Sequence, residues 1–129
     1  MKYELKFCRF IIYGFLLFLT SCNSKEELLG QYIGSFKNNI DSLKINSKGR
    51  YERVIYDNSG KKIFSNKSTY KIEGGFINFN DFLLNEDDLS TSSNYDPTDV
   101  VVASLPYSLT FSGMKITSNF DLEYFYIKK

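Results

Sequence analysis

The side chains able to do chemistry in this chain are few in kind. Its 129 residues hold 15 Asp and Glu, 16 Lys and Arg, ten Tyr and two Cys, with no His and no Trp. Without His, nucleophilic triads, His-ligated zinc and His-held haem cannot be built. What remains for proton transfer is Asp, Glu, Lys, Tyr and Ser. Two carboxylates can act as acid and base in glycoside hydrolysis, but no motif singles out a pair. No catalytic residue is assigned, and an enzyme is not expected. Six carboxylates, Asp81, Glu86, Asp87, Asp88, Asp96 and Asp99, fall within 81–99 with no basic residue among them. A calcium loop would need alternating oxygen ligands, and Asn85-Glu86-Asp87-Asp88 does not supply that spacing. No metal or cofactor is expected.

The two cysteines lie at Cys8 and Cys22, within or beside an N-terminal segment of distinct character. Lys2, Lys6 and Arg9 precede the apolar run Phe10–Leu19, and Leu19-Thr20-Ser21-Cys22 follows. A basic start, a short apolar stretch and small residues before a cut describe a secretory signal peptide. Ten apolar residues are too few to span a bilayer core, which takes about 20. Leu19-Thr20-Ser21-Cys22 resembles the lipobox of bacterial lipoproteins. That resemblance implies cleavage after residue 21, acylation of Cys22, and anchoring in a membrane. Lys25-Glu26-Glu27 is similar to the acidic export signal of Bacteroidetes surface lipoproteins, which implies an outer-membrane location, facing the periplasm or the surface. The expected organisation is then residues 1–21 as signal peptide, 22–27 as lipidated Cys and tether, and 28–129 as one domain. With Cys8 removed and Cys22 alkylated, the mature chain keeps neither a thiol nor a disulfide.

Removing Lys2, Lys6, Arg9 and Glu4 leaves thirteen basic residues against fourteen acidic ones. Nucleic acid is not an expected partner, because phosphate binding needs a basic surplus.

From Leu28 onward the pattern is that of strands: alternating apolar residues, many aromatic and β-branched side chains, and turn residues at short intervals. Expected strands cover Gln31–Phe36, Ser42–Asn46, Arg50–Tyr56, Lys61–Ser65 with Ser68–Glu73 (one bent strand or two), Phe76–Asn80, Val100–Ala103, Leu105–Phe111, Met114–Thr117 and Leu122–Lys128. Asn46–Gly49, Asp57–Gly60, Gly74-Gly75 and Ser112-Gly113 supply the turns. Pro106 suggests an edge or a first ladder position. Residues 81–99 read as a long excursion, with one helical turn at Phe82-Leu83-Leu84. The fold class is all-β, a small antiparallel up-and-down barrel of about eight strands, because closure removes exposed edges. A two-sheet sandwich is the alternative.

Gly30-Gln31-Tyr32, Leu43-Lys44-Ile45, Lys48-Gly49-Arg50-Tyr51 and Tyr70-Lys71-Ile72, followed by Gly75-Phe76-Ile77-Asn78-Phe79, give residues 28–82 a layout that resembles the lipocalin-like barrels of bacterial lipoproteins. It is similar to the N-terminal barrel of the envelope-sensing, copper-resistance lipoproteins. Their Cys-x-x-Cys is replaced here by Ser35–Ile40, so no copper role is implied. Tyr32 stands where true lipocalins carry Trp. In such a barrel, Tyr32, Tyr51, Tyr56, Tyr70 and Tyr107 are the candidates to line a ligand cavity; the competing expectation is that they pack the core. Asp41-Ser42-Leu43 resembles a Bacteroidetes O-glycosylation motif, but Leu43 should face inward, which favours a plain strand.

These readings converge on a membrane-anchored binding module for a small apolar ligand or an envelope protein. The alternative is an inhibitor or immunity-type lipoprotein that blocks an enzyme or toxin. A ligand binder needs an enclosed apolar cavity. An inhibitor needs a filled core and a protruding polar loop, for which Asp81–Asp99 is the candidate.

Overall fold

The computed structural model describes residues 24–85 and 98–129. Cys8, Cys22 and the acidic residues Glu86, Asp87, Asp88 and Asp96 lie outside the described residues. Among the described residues a short helix, α1 (Ser24–Glu27), leads into eight strands: β1 (Gly30–Gly34), β2 (Asn39–Ile45), β3 (Arg50–Asp57), β4 (Lys62–Glu73), β5 (Phe76–Leu83), β6 (Val100–Thr110), β7 (Gly113–Asn119) and β8 (Tyr124–Lys128). Each strand pairs antiparallel with its sequence neighbour, and β8 pairs with β1, which closes the barrel. The fold is thus an up-and-down β-barrel.

Strand direction alternates, so the connections divide between two ends. The near end carries α1, the β2–β3, β4–β5 and β6–β7 turns, and the C-terminus. The far end carries the β1–β2, β3–β4 and β7–β8 turns and the β5–β6 connection.

The turns follow from local chemistry. Asn46 Oδ1 accepts from the backbone amides of Lys48 and Arg50, and Gly49 takes a positive φ of 69° to complete the turn. Such Asx turns let a short polar side chain replace a backbone partner. Asp57 does the same at the far end, accepting from the amides of Ser59 and Lys61.

Several elements differ from the sequence expectation. Val100–Ala103 and Leu105–Phe111 form one strand, β6, with Pro106 in its interior. Pro106 is the last β6 residue paired with β5, opposite Phe76, and Tyr107 is the first paired with β7, opposite Ile116. A residue without an N–H is tolerated there because the strand is exchanging neighbours. Of the two alternatives for β4, the single strand is the one formed: its 12 residues serve β3 with the first part and β5 with the last.

The helical turn expected at Phe82-Leu83-Leu84 is absent. Phe82 and Leu83 continue β5, paired with Val101 and Val100. A bulge between Phe79 and Phe82 makes this possible. Inward positions on β5 are Ile77 and Phe79, so unbroken alternation would turn Phe82 outward. The bulge, with Asp81 at φ 51°, returns Phe82 to the interior. Its ring then stacks on Phe79 with centroids 4.9 Å apart.

The core runs the length of the barrel. Tyr32, Leu43, Tyr51, Ile77, Phe79, Phe82, Ile116 and Tyr126 are fully buried in it. Leu28, following α1, plugs the near end and is itself fully buried. At the far end Phe36 folds over the opening, its ring 4.8 Å from Tyr124 and 5.9 Å from Tyr126.

Candidate functional site

The five candidate tyrosines do not form one site. Tyr32, Tyr51 and Tyr70 point into the barrel and fill it, whereas Tyr56 and Tyr107 are only half-buried. The three interior hydroxyls are committed to backbone oxygens. Tyr32 donates to Leu28 O at 2.7 Å, Tyr51 to Asn80 O at 2.6 Å and Tyr70 to Asn46 O at 2.7 Å. Tyr51 also packs edge-on against Phe79 at 5.0 Å. Each tyrosine therefore ties a loop or bulge to the interior. The physical reason is volume: aromatic side chains from eight short strands occupy the space that a ligand would need.

The chemically distinctive site is a buried polar cluster in the far half of the barrel. Asp41 on β2 and Arg53 on β3 are both fully buried. Arg53 Nε donates to Asp41 Oδ1 at 3.0 Å, and Nη2 to Oδ2 at 2.6 Å. Its remaining terminal nitrogen, Nη1, donates to Leu83 O at the end of β5. The guanidinium lies over the Phe82 ring, 4.0 Å from the centroid. Asp41 Oδ2 accepts two more bonds, from Tyr126 OH at 2.8 Å and Asn85 Nδ2 at 3.0 Å. Asn85 and Asn39, both buried, exchange amide bonds at 3.0 and 3.2 Å.

This geometry accounts for the charges being inside at all. An isolated buried charge costs many kcal/mol, but a bidentate pair with further donors on its carboxylate offsets most of that. Burial works against the charged guanidinium, yet Asp41 outweighs it and holds Arg53 above its ordinary range. Burial also pushes the Tyr126 hydroxyl well above the usual tyrosine value, with Arg53 opposing and Asp41 reinforcing. The bidentate pair and the donors around it tie four strands to one point in the interior.

What it holds is the start of the acidic connection. Arg53 grips the Leu83 carbonyl and Asp41 grips the Asn85 amide, so both grips fall on the last residues before 86–97. Those twelve residues include Glu86, Asp87, Asp88 and Asp96 and no basic residue.

A second polar knot secures the bulge below it. Asn66 Nδ2 donates to Asp81 O at 2.6 Å, and Ser68 Oγ to Asp81 Oδ2 at 2.6 Å. Among the described residues no group of three or more acidic, His or Cys side chains is placed to hold a metal.

The Asp41–Arg53 pair was missed by sequence reasoning, although its signal is present. Asp41 shares the period-2 face of Leu43 and Ile45, and Arg53 that of Tyr51 and Ile55. Opposite charges on the inward faces of one hairpin are the signature of a buried pair. The Asp41-Ser42-Leu43 glycosylation resemblance meets the same fact, since its Asp is inside the barrel.

Compared with protein-family models, curated proteins and solved structures, the chain gives no significant match.

Proposed function

We propose that the chain is an exported envelope lipoprotein, anchored in the outer membrane through acylated Cys22, that binds a protein partner on the outside of a filled barrel. The observation that carries the reading is the packed interior. The tyrosines that would line a ligand cavity are themselves the packing, and the polar cluster fills the far half. A small apolar ligand would have to displace Tyr32, Tyr51 or Tyr70 and break the backbone bonds of each. The surface offers more. Phe120 and Leu122, in the β7–β8 turn, are 74% and 50% exposed. They stand at the end opposite α1, so a tether through Cys22 leaves them facing away from the bilayer.

A second reading, an inhibitor or immunity-type lipoprotein, is favoured by the grip of Arg53 and Asp41 on Leu83 and Asn85. A segment that must block a basic cleft gains affinity when its base is held rigid, because less ordering is lost on binding.

Native mass spectrometry of the full chain, purified from its own membranes, tests the proposal. An acyl mass that disappears in Cys22→Ser supports the anchor, and its absence overturns it. A bound protein lost in Phe120→Ser with Leu122→Ser supports docking at the far end. One lost instead in Glu86→Gln with Asp87→Asn and Asp88→Asn selects the inhibitor reading. A small molecule released on denaturation, with no protein bound, overturns both.

A further inference from the structure

The β6–β7 hairpin departs from the packing rule that the rest of the barrel obeys. Inward positions on β6 are Ala103, Leu105, Tyr107 and Leu109, and Leu109 lies opposite the buried Met114. Leu109 is nevertheless 69% exposed, and Phe111 at the tip is exposed beyond an extended-chain reference, at 115%. The cause is length. The neighbouring β4–β5 hairpin ends at Gly74-Gly75, and its last link to β6 is the bond from Tyr107 N to Gly75 O. Residues 108–113 run past that turn with β7 alone as neighbour. Leu109 thus faces the barrel axis beyond the rim, where, among the described residues, nothing covers it.

This projection stands at the near end, where α1 brings in the preceding chain. Lys128 Nζ donates to Glu27 O at 2.6 Å and fixes α1 against the rim. Exposed Lys48, Arg50, Lys71 and Lys129 border the same end, against exposed Glu73. The helix itself adds Lys25 and two carboxylates, Glu26 and Glu27.

We infer that the β6–β7 hairpin seats in a lipid bilayer, with Leu109 and Phe111 entering the acyl boundary and the basic rim facing anionic headgroups. The inference rests on the lipid-anchor reading, which brings this end to the membrane: from Cys22 to Ser24 is two residues, a reach of roughly 7 Å. Apolar side chains beside a cationic rim are the composition that binds at the interface, and each basic residue near an anionic surface adds to the attraction. The anchor would then fix position, and the hairpin would fix orientation, directing Phe120 and Leu122 outward.

The chain has no Trp, so F111W and F120W each report on one site alone. Each full-length variant is mixed with vesicles of phosphatidylglycerol and phosphatidylethanolamine, with and without brominated acyl chains. Expected is a shift of F111W emission to shorter wavelength and its quenching by brominated lipid, while F120W stays water-like. Leu109→Ser with Phe111→Ser should weaken binding of the Cys22→Ser chain to these vesicles roughly ten-fold. Unshifted, unquenched F111W emission on vesicles that carry the protein overturns the inference. A chain without acyl mass whose F111W emission still shifts overturns the anchor and leaves the hairpin seat standing. With neither acyl mass nor shift, both fall.

Discussion

Asp41 and Arg53 sit at diagonal positions of β2 and β3, two residues out of register, and meet through two hydrogen bonds of 3.0 and 2.6 Å in a region closed to solvent. The diagonal matters. The diagonal separation of about 7–8 Å is within reach of a long side chain such as arginine. The pair spans the barrel and reaches β5 through Leu83 and β8 through Tyr126. Four strands therefore meet at one ion pair.

Removing one partner should cost far more than removing both. Arg53→Met leaves the Asp41 carboxyl group buried without its guanidinium, with Asn85 and Tyr126 as its remaining donors. Asp41→Leu leaves a guanidinium in the core without its carboxylate. Each single change is expected to lower stability by about 3–5 kcal/mol. The double variant Asp41→Leu with Arg53→Met should lose well under what either single change loses. Urea unfolding of the three variants measures this, and additive losses would show that the two side chains act independently.

The buried tyrosines predict an alkaline limit. Burial raises the Tyr32, Tyr51, Tyr70 and Tyr126 hydroxyls above their ordinary value. In the unfolded chain they ionise near pH ~10. A raised folded value means that the folded state binds more protons at high pH, so stability is intact below about pH 10 and falls as pH rises beyond it. Tyrosinate absorbance followed against pH should show these four ionising only on unfolding. Titration of all tyrosines in one step near pH ~10, with the fold intact, would refute the assignment.

Gly34 is required by a neighbour, with no special backbone angle involved. A Cβ there would lie 2.6 Å from two ring carbons of Phe36 and 3.2 Å from Asp41 Cβ. Gly34→Ala must push Phe36 off the far end, at a cost of about 1–3 kcal/mol, the usual price of overpacking. Phe36→Leu in the same chain should recover part of that cost. Thermal melts of the two variants decide it, and an unchanged Gly34→Ala melting point would mean that Phe36 does not cap the barrel.

Barrel closure was legible because the sequence from Leu28 onward alternates cleanly and its turns are marked by Asn, Asp and Gly. Ser112-Gly113 and Gly74-Gly75 lie where such pairs should lie, and the strands between them are too many and too short to leave open edges. The interior polar cluster was harder to see. Its members come from 39, 41, 53, 85 and 126, and only the closed barrel brings β8 and the end of β5 against the β2–β3 hairpin. The tyrosines were recognised as a set, but cavity and packing have the same residue pattern, and only volume separates them. The bulge was invisible for a related reason: Asn80-Asp81 carries no glycine, and the turn at Asp81 is held by Asn66 and Ser68 from another strand.

That bulge yields the sharpest backbone prediction. Asp81 at φ 51° occupies the left-handed region, where a β-branched residue is strongly disfavoured and glycine is at ease. Asp81→Gly relieves the strain but loses the bond from Ser68, so its net effect should stay within about 0.5 kcal/mol. Asp81→Val keeps the strain, adds a branched Cβ and loses the same bond, and should cost about 2 kcal/mol. Deleting Asp81 removes the extra residue, so Phe82 takes the inward place after Asn80 and keeps its pairing with Val101, while the bonds from Asn66 and Ser68 to Asp81 are lost. Urea midpoints should rank Gly near the parent and Val below it. A Val variant as stable as the Gly variant would show that the bulge does not depend on the left-handed turn at Asp81.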